Sequence, residues 1–171
     1  VEDTCVPYAF AISGYDYLAD LTSFEEGLFQ VQDLSSILAG LAVNPNPGDY
    51  VVDVCAAPGG KCLHAAQRGS DITVEARDVS EAKVGLIRDN IERLHMDNVT
   101  AKVWDATVKD ESLIGKADIL ICDVPCSGLG ILGRKADIRY NASAEKTEAL
   151  VELQRKILSV CSEYVRPGGY I

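Results

Sequence analysis

Two stretches of this chain combine residue types that could do chemistry. The first is Val51-Val52-Asp53-Val54-Cys55-Ala56-Ala57-Pro58-Gly59-Gly60-Lys61, an apolar strand running into a loop of small residues and then a helix. Small residues let the backbone approach a ligand closely, and the helix start offers free N–H groups to an anionic end. A phosphate loop is excluded, because Cys55 stands where that spacing needs glycine and Lys61 is followed by Cys62 rather than Ser or Thr. The dinucleotide fingerprint fails for want of its third glycine. The second stretch, Asp123-Val124-Pro125-Cys126-Ser127-Gly128-Leu129-Gly130, is another strand end opening into a loop. Pro125 fixes its backbone, the glycines leave room for a flat substrate, and Cys126 offers a thiol, although a lone loop cysteine is more often incidental than catalytic. Arg134, Lys135, Arg139 and Tyr140 follow as a basic and aromatic cluster suited to a phosphate and a base, or to a plain solvated loop.

Acidic residues recur at strand ends. Asp53 closes the first strand, Asp78 the second, Asp105 the third and Asp123 the fourth. Any one alone reads as the cap of the next turn. Ligands of open α/β sheets bind beyond the carboxyl ends of the strands, so together the four are expected on one rim, with Asp78 at the distance suited to a ribose.

These residues need a scaffold, and the pattern supplies one. From Asp49 onward short apolar runs alternate with longer amphipathic ones, which predicts βα units on a parallel sheet. Strands are expected at 50–55, 72–77, 99–103 and 117–122, with a fifth beginning at Gly169. Helices are expected at 61–67, at 81–94 with Ser80 as cap, and at 143–165, where Leu150, Leu153, Ile157, Leu158, Cys161 and Val165 fall largely on one face. The fold class is α/β, a three-layer sandwich spanning 49–171. Residues 1–48 read as a lead-in packed on that core: short strands at 8–12 and 26–30, then a helix at 33–41 stopped by Asn44-Pro45-Asn46-Pro47-Gly48.

Composition bounds the rest. The 171 residues, 47% hydrophobic, suffice for one core. No apolar run approaches the roughly 20 residues of a membrane span, and Val1-Glu2-Asp3-Thr4 is unlike a signal peptide, so a cytoplasmic location without membrane partners is expected. The six cysteines are scattered, which favours reduced thiols, and no cluster completes a metal site. Both ends read as cuts in a longer polypeptide, the last at a strand barely begun. An exposed sheet edge there would invite a dimer. The net charge of −10 opposes nucleic-acid binding unless the basic residues gather on one face or another domain supplies affinity.

The combination of the Ala56-Ala57-Pro58-Gly59-Gly60-Lys61 loop with Asp123 to Gly130 resembles the RsmB/Sun-type RNA cytosine-5 methyltransferases. Further points of likeness are Gln32-Asp33-Leu34-Ser35-Ser36, Asn90 to Leu94, Asn98-Val99, Arg134 and Asp137. The resemblance implies a class I S-adenosylmethionine-dependent fold in which Cys55, Ala56, Ala57, Pro58, Gly59, Gly60 and Lys61 cradle the cofactor. Asp78 would bind its ribose, Asp105 would lie near its adenine, and Asp123 would sit between cofactor and target cytosine. It implies RNA as partner, that of the small ribosomal subunit foremost, with Arg134, Lys135 and Arg139 as contacts. Two cysteines share the chemistry in that family: Cys126 matches the one that assists product release, while the nucleophile belongs to a Thr-Cys motif expected beyond Ile171. The chain as given is therefore expected to bind cofactor without turnover. Departures from the family pattern are Cys62, His95, Gly133 and Ala136, the last two weakening the expected RNA contacts. Two other readings stand beside this one: a methyltransferase for a protein or small-molecule acceptor, which the charge favours and the Pro-Cys loop opposes, and a non-catalytic RNA-binding or assembly module.

Overall fold

The computed structural model describes residues 1–133, 137, 140 and 143–171. The lead-in contains β1 (Glu2–Asp3) and β2 (Phe10–Ala11), paired antiparallel, then α1 (Thr22–Glu25) and α2 (Leu34–Val43). The strand expected at 26–30 is absent. There the chain turns tightly, the N–H groups of Gly27 and Leu28 bonding back to the carbonyls of Phe24 and Ser23. The apolar residues of this turn serve docking rather than a sheet. Phe24 and Phe29 pack with ring centroids 5.6 Å apart, the Arg93 guanidinium lies 3.9 Å over Phe24, and Arg93 donates to the carbonyls of Phe24 and Phe29. Gly27 is needed at this joint: its φ is +73° and a Cβ would fall 1.7 Å from the Arg93 carbonyl oxygen. The helix α2 ends where Asn44 turns left-handed, just before Pro45.

The core follows the expected alternation. It comprises β3 (Tyr50–Asp53), α3 (Gly60–Ala66), β4 (Thr73–Asp78), α4 (Glu81–Arg93), β5 (Val99–Val103), β6 (Ala117–Ile121), α5 (Ala144–Cys161) and β7 (Val165–Tyr170). The strands form one parallel sheet in the order β5-β4-β3-β6-β7. Side-chain alternation splits the core in two. Val51, Val74, Ala76, Ile119 and Ile121 pack with α3 and α4 through Leu63, Ala66 and Ile87, whereas Val52 and Leu120 pack with Ile157, Cys161 and Tyr164 on the α5 side. Helices thus cover both faces, giving the three-layer α/β sandwich. Ser80 and Ser143 cap α4 and α5 as their sequence positions suggest.

Two boundaries differ from expectation by more than two residues. The helix α5 stops at Cys161, a turn short, and Leu158 is 48% exposed, because a 3-10 turn at Ser162–Tyr164 sends Tyr164 into the core and Val165 into a strand. The strand β7 accordingly starts four residues before Gly169. Its Pro-Gly-Gly segment is a bulge within the strand: between the Ala117–Val165 and Ile119–Tyr170 pairs β6 advances two residues and β7 five. Among the described residues no helix is long and apolar enough to cross a membrane.

On the α5 side β4 presents charge. Arg77, 1% exposed, pairs with Glu75 and Asp110, its guanidinium 5.1 Å from the Trp104 ring, and Tyr50 donates to Glu75 at 2.8 Å. Removing the cation would leave two carboxylates without it. Arg77→Leu is therefore expected to cost about 3–5 kcal/mol in urea unfolding, and a loss under about 1 kcal/mol would show that the cluster contributes little.

Candidate active site

Parallel pairing places the carboxyl ends of β3, β4, β5 and β6 side by side, so Asp53, Asp78, Asp105 and Asp123 all lie along one edge of the sheet. Three of them surround the glycine loop. The loop leaves β3 with Ala56 N–H on the Arg77 carbonyl (2.8 Å) and Ala57 N–H on the Asp78 carboxylate (3.1 Å). Gly59 then takes φ +111°, where a Cβ would meet Leu63 at 2.8 Å, and the chain enters α3. Asn90 of α4 holds the loop from outside, donating to the Pro58 carbonyl at 3.1 Å.

Between this loop and the lead-in lies a cavity of about 250 Å³. Its walls are Cys55, Ala56, Ala57, Pro58, Gly60 and Lys61 on one side and Val31, Gln32, Asp33 and Ser36 on the other, with Asp53 and Asp123 completing it. Asp53 is 1% exposed, and burial pushes its carboxyl up to about 7, with the nearby Asp123 and Asp78 charges adding to the effect and the Cys55 N–H bond (3.3 Å) opposing it. Asp123 is exposed and pairs with Lys61 across the mouth at 2.6 Å. This contact ties the first motif to the second.

The other expected residues are placed as follows. Asp78 is 4% exposed, its second oxygen accepting from Val79 N–H at 2.8 Å and facing the Lys83 ammonium at 3.2 Å. Asp105 is exposed and folds back on Thr107, whose N–H and hydroxyl hold its carboxyl below the usual range. Neither lines the cavity; both lie along the rim from it. Cys126 is exposed on its loop, which Gln154 of α5 steadies by donating to the Pro125 carbonyl at 2.7 Å. Burial raises the thiols of Cys55 and Cys161 to about 12 and also raises those of Cys62 and Cys122, so none of these four favours a thiolate. The expected RNA contacts Arg134, Lys135 and Arg139 lie outside the described residues, as does Ala136.

Comparison with known proteins decides what this arrangement belongs to. The sequence model of the 16S rRNA methyltransferases RsmB/F matches residues 40–171. The chain belongs to that family. It is 37% identical over 152 residues to "Ribosomal RNA small subunit methyltransferase B" of Vibrio cholerae, covering 87% of this chain and 34% of that protein. The crystal structure of PH0851 superposes with a TM-score of 0.92 at 31% identity, over 99% of this chain and 40% of that one. The structure of NSun6 from Pyrococcus horikoshii with SFG gives a TM-score of 0.78 at 30% identity, over 91% and 41%. The fold is therefore that of class I S-adenosylmethionine-dependent methyltransferases, and the chain spans about a third of the length of the curated relatives it matches. These likenesses lend no support to a dimer through the β7 edge.

Sequence reasoning missed the cavity's second wall. It placed Gln32 and Asp33 before the core, as points of likeness to the family and not as site residues. Asp53 was legible as a rim acid but not as a buried one. The folded carboxyl holds its proton up to about pH 7, whereas an unfolded Asp releases it near about 4, so folding is disfavoured progressively as pH rises between those values. Asp53→Asn keeps the acceptor for Cys55 N–H and should be more stable than wild type at pH 8, by up to about 4 kcal/mol, since each tenfold change in proton affinity corresponds to about 1.4 kcal/mol. The gap should close by about pH 4; a gap independent of pH in thermal unfolding would refute the assignment.

Proposed function

We propose that this chain binds S-adenosylmethionine and forms the catalytic core of an enzyme that methylates carbon 5 of cytosine in RNA of the small ribosomal subunit. The observation that carries this reading is the cavity between the Ala-Ala-Pro-Gly-Gly-Lys loop and the lead-in, joined by the Lys61–Asp123 pair to the Pro-Cys loop. The fit to the cofactor is chemical. The cavity suits a small zwitterion, with Lys61 for an anionic group and Asp123 for a cationic one, whose approach would also favour ionisation of the buried Asp53. Cys55 to Lys61 cradle that end, Asp78 takes the ribose as its hydroxyls join or replace Lys83, and Asp105 lies near the adenine. The cofactor, when bound, supplies the methyl group.

The chain's own groups act on the base. Carbon 5 of cytosine becomes nucleophilic once a thiolate adds to carbon 6, and a carboxyl held at the ring nitrogen promotes that addition by favouring its protonation. Asp123 is the group for this role, released from Lys61 as the base enters. A base then removes the carbon 5 proton and the thiol departs, with Cys126 assisting. Of the six cysteines only Cys5 and Cys126 are exposed, and of these two only Cys126 lies on a strand-end loop of this site. By resemblance the attacking thiol is a different one, beyond Ile171, so residues 1–171 alone should bind cofactor without turnover.

Charge explains how an acidic chain could serve RNA. Lys61, Lys83, Arg88, Lys102, Lys109 and Arg166 each meet a carboxylate, and Arg77 meets two. Among the described residues seven of the chain's sixteen Lys and Arg are engaged in this way, so phosphate contacts fall to the others, with Arg134, Lys135 and Arg139 the ones the family pattern favours. The same charge favours the reading with a protein or small-molecule acceptor, which needs no thiol.

Calorimetric titration with S-adenosylmethionine, ATP and a nicotinamide dinucleotide should show binding of the first alone; binding of either nucleotide in preference would overturn the cofactor assignment. Asp78→Ala, checked for folding by circular dichroism, should weaken that binding by about 10- to 100-fold, as for loss of charge-assisted hydrogen bonds. Incubation of residues 1–171 with radiolabelled cofactor and small-subunit ribosomal RNA should transfer no methyl group. Turnover abolished by Cys126→Ala would instead make Cys126 the nucleophile.

A further inference from the structure

The lead-in brings to the cavity a donor that the glycine loop does not account for. Gln32 lies against Gly60, its amide nitrogen and carbon 3.5 and 3.6 Å from where a side chain on that glycine would begin. Its Nε2 is shut off from solvent and has no hydrogen-bond partner among the described residues. Buried amide groups are nearly always paired, because losing water without a new partner costs free energy, so an orphan amide on a residue that lines a cavity gains by turning toward an acceptor that enters it. The wall that carries it is anchored from outside. Gln30 donates to Gln67 at 3.1 Å and Arg93 to the Phe29 carbonyl at 3.0 Å, which fixes the segment between α1 and α2 independently of any ligand.

The neighbouring groups select the acceptor. Lys61 and Gln32 offer N–H donors, while Asp53 and Asp123 line the same space. A phosphate would meet the Asp123 carboxylate and oppose any ionisation of Asp53. A neutral group would offer Gln32 Nε2 no charged acceptor and would leave the Lys61–Asp123 pair as it stands. A group carrying both signs at short separation can accept from Gln32 and Lys61 and donate to Asp123 and Asp53, and an α-amino acid does so.

We infer that Gln32 donates its Nε2–H to the carboxylate of the cofactor's amino-acid end, so that the lead-in, and not the glycine loop alone, selects ligands bearing that end. This inference rests on the S-adenosylmethionine reading above. Gln32 is then a specificity-determining residue: the adenosyl part is held along the rim by the core, and the amino-acid part is read by residues that precede it.

The test compares ligands with and without that end. Wild type, Gln32→Leu and Gln32→Glu are titrated with S-adenosylmethionine, S-adenosylhomocysteine and methylthioadenosine, which keeps the adenosyl group and lacks the amino acid. Gln32→Leu should weaken the first two by about tenfold or more, as for a hydrogen bond to a charged group, and leave methylthioadenosine within about twofold. Gln32→Glu should weaken the amino-acid ligands further, because a carboxylate would face a carboxylate. Unchanged affinity of Gln32→Leu for S-adenosylhomocysteine would overturn the inference while leaving the cofactor reading intact. Equal losses for all three ligands would also overturn it, making Gln32 a structural residue. Failure of wild type to bind S-adenosylmethionine would overturn the cofactor reading and this inference with it.

Discussion

The Asp78 carboxylate accepting the Ala57 amide is the contact on which the site's shape depends. It ties the loop after β3 to the end of β4, and the β3–β4 register fixes where that end lies. The loop can descend this far only because its residues are small: the Ala56 N–H reaches the Arg77 carbonyl, and Gly59 turns left-handed where a side chain would strike Leu63. Asp53 is buried beneath the same loop with one amide for company, which is why its carboxyl resists ionisation. The cavity is the space left between this lowered loop and the lead-in.

That space exists because the lead-in is fixed to the core by specific joints. Arg93 at the end of α4 grips the Phe24–Phe29 turn, Gly27 fits over the Arg93 carbonyl, and Tyr8 meets the buried His64 at 3.0 Å. Gly40 of α2 sits against the His64 ring, where any side chain would collide. The cavity beside the glycine motif is thus walled by two segments, and on the proposed reading residues of the first 48 would contact its ligand.

The core was legible in the sequence because each strand is a short apolar run with a capped helix after it. Ser80 and Ser143 marked helix starts, and β5 falls on its expected residues, Val99 to Val103. The misreadings share a cause: local pattern resembled one element while tertiary contact dictated another. Residues 26–30 hold a short apolar run that reads as a strand yet dock on α4, and the apolar face expected of α5 ran past Cys161 into a turn and a strand. The rim acids were readable by position, but their differences were not. Asp53 and Asp78 are buried, while Asp105 and Asp123 are exposed, and only packing decides that. Gln32 carried no local signal, since its place beside Gly60 comes from the docking of the lead-in.

A crystal structure of this chain with S-adenosylhomocysteine would show most directly whether the cavity walled by the glycine loop and the lead-in holds the cofactor's amino-acid end. The expected density has the amino acid between Gln32, Asp53 and Lys61, the ribose at Asp78 and the adenine toward Asp105. Ligand density along the rim with the amino-acid end outside that cavity would contradict this arrangement.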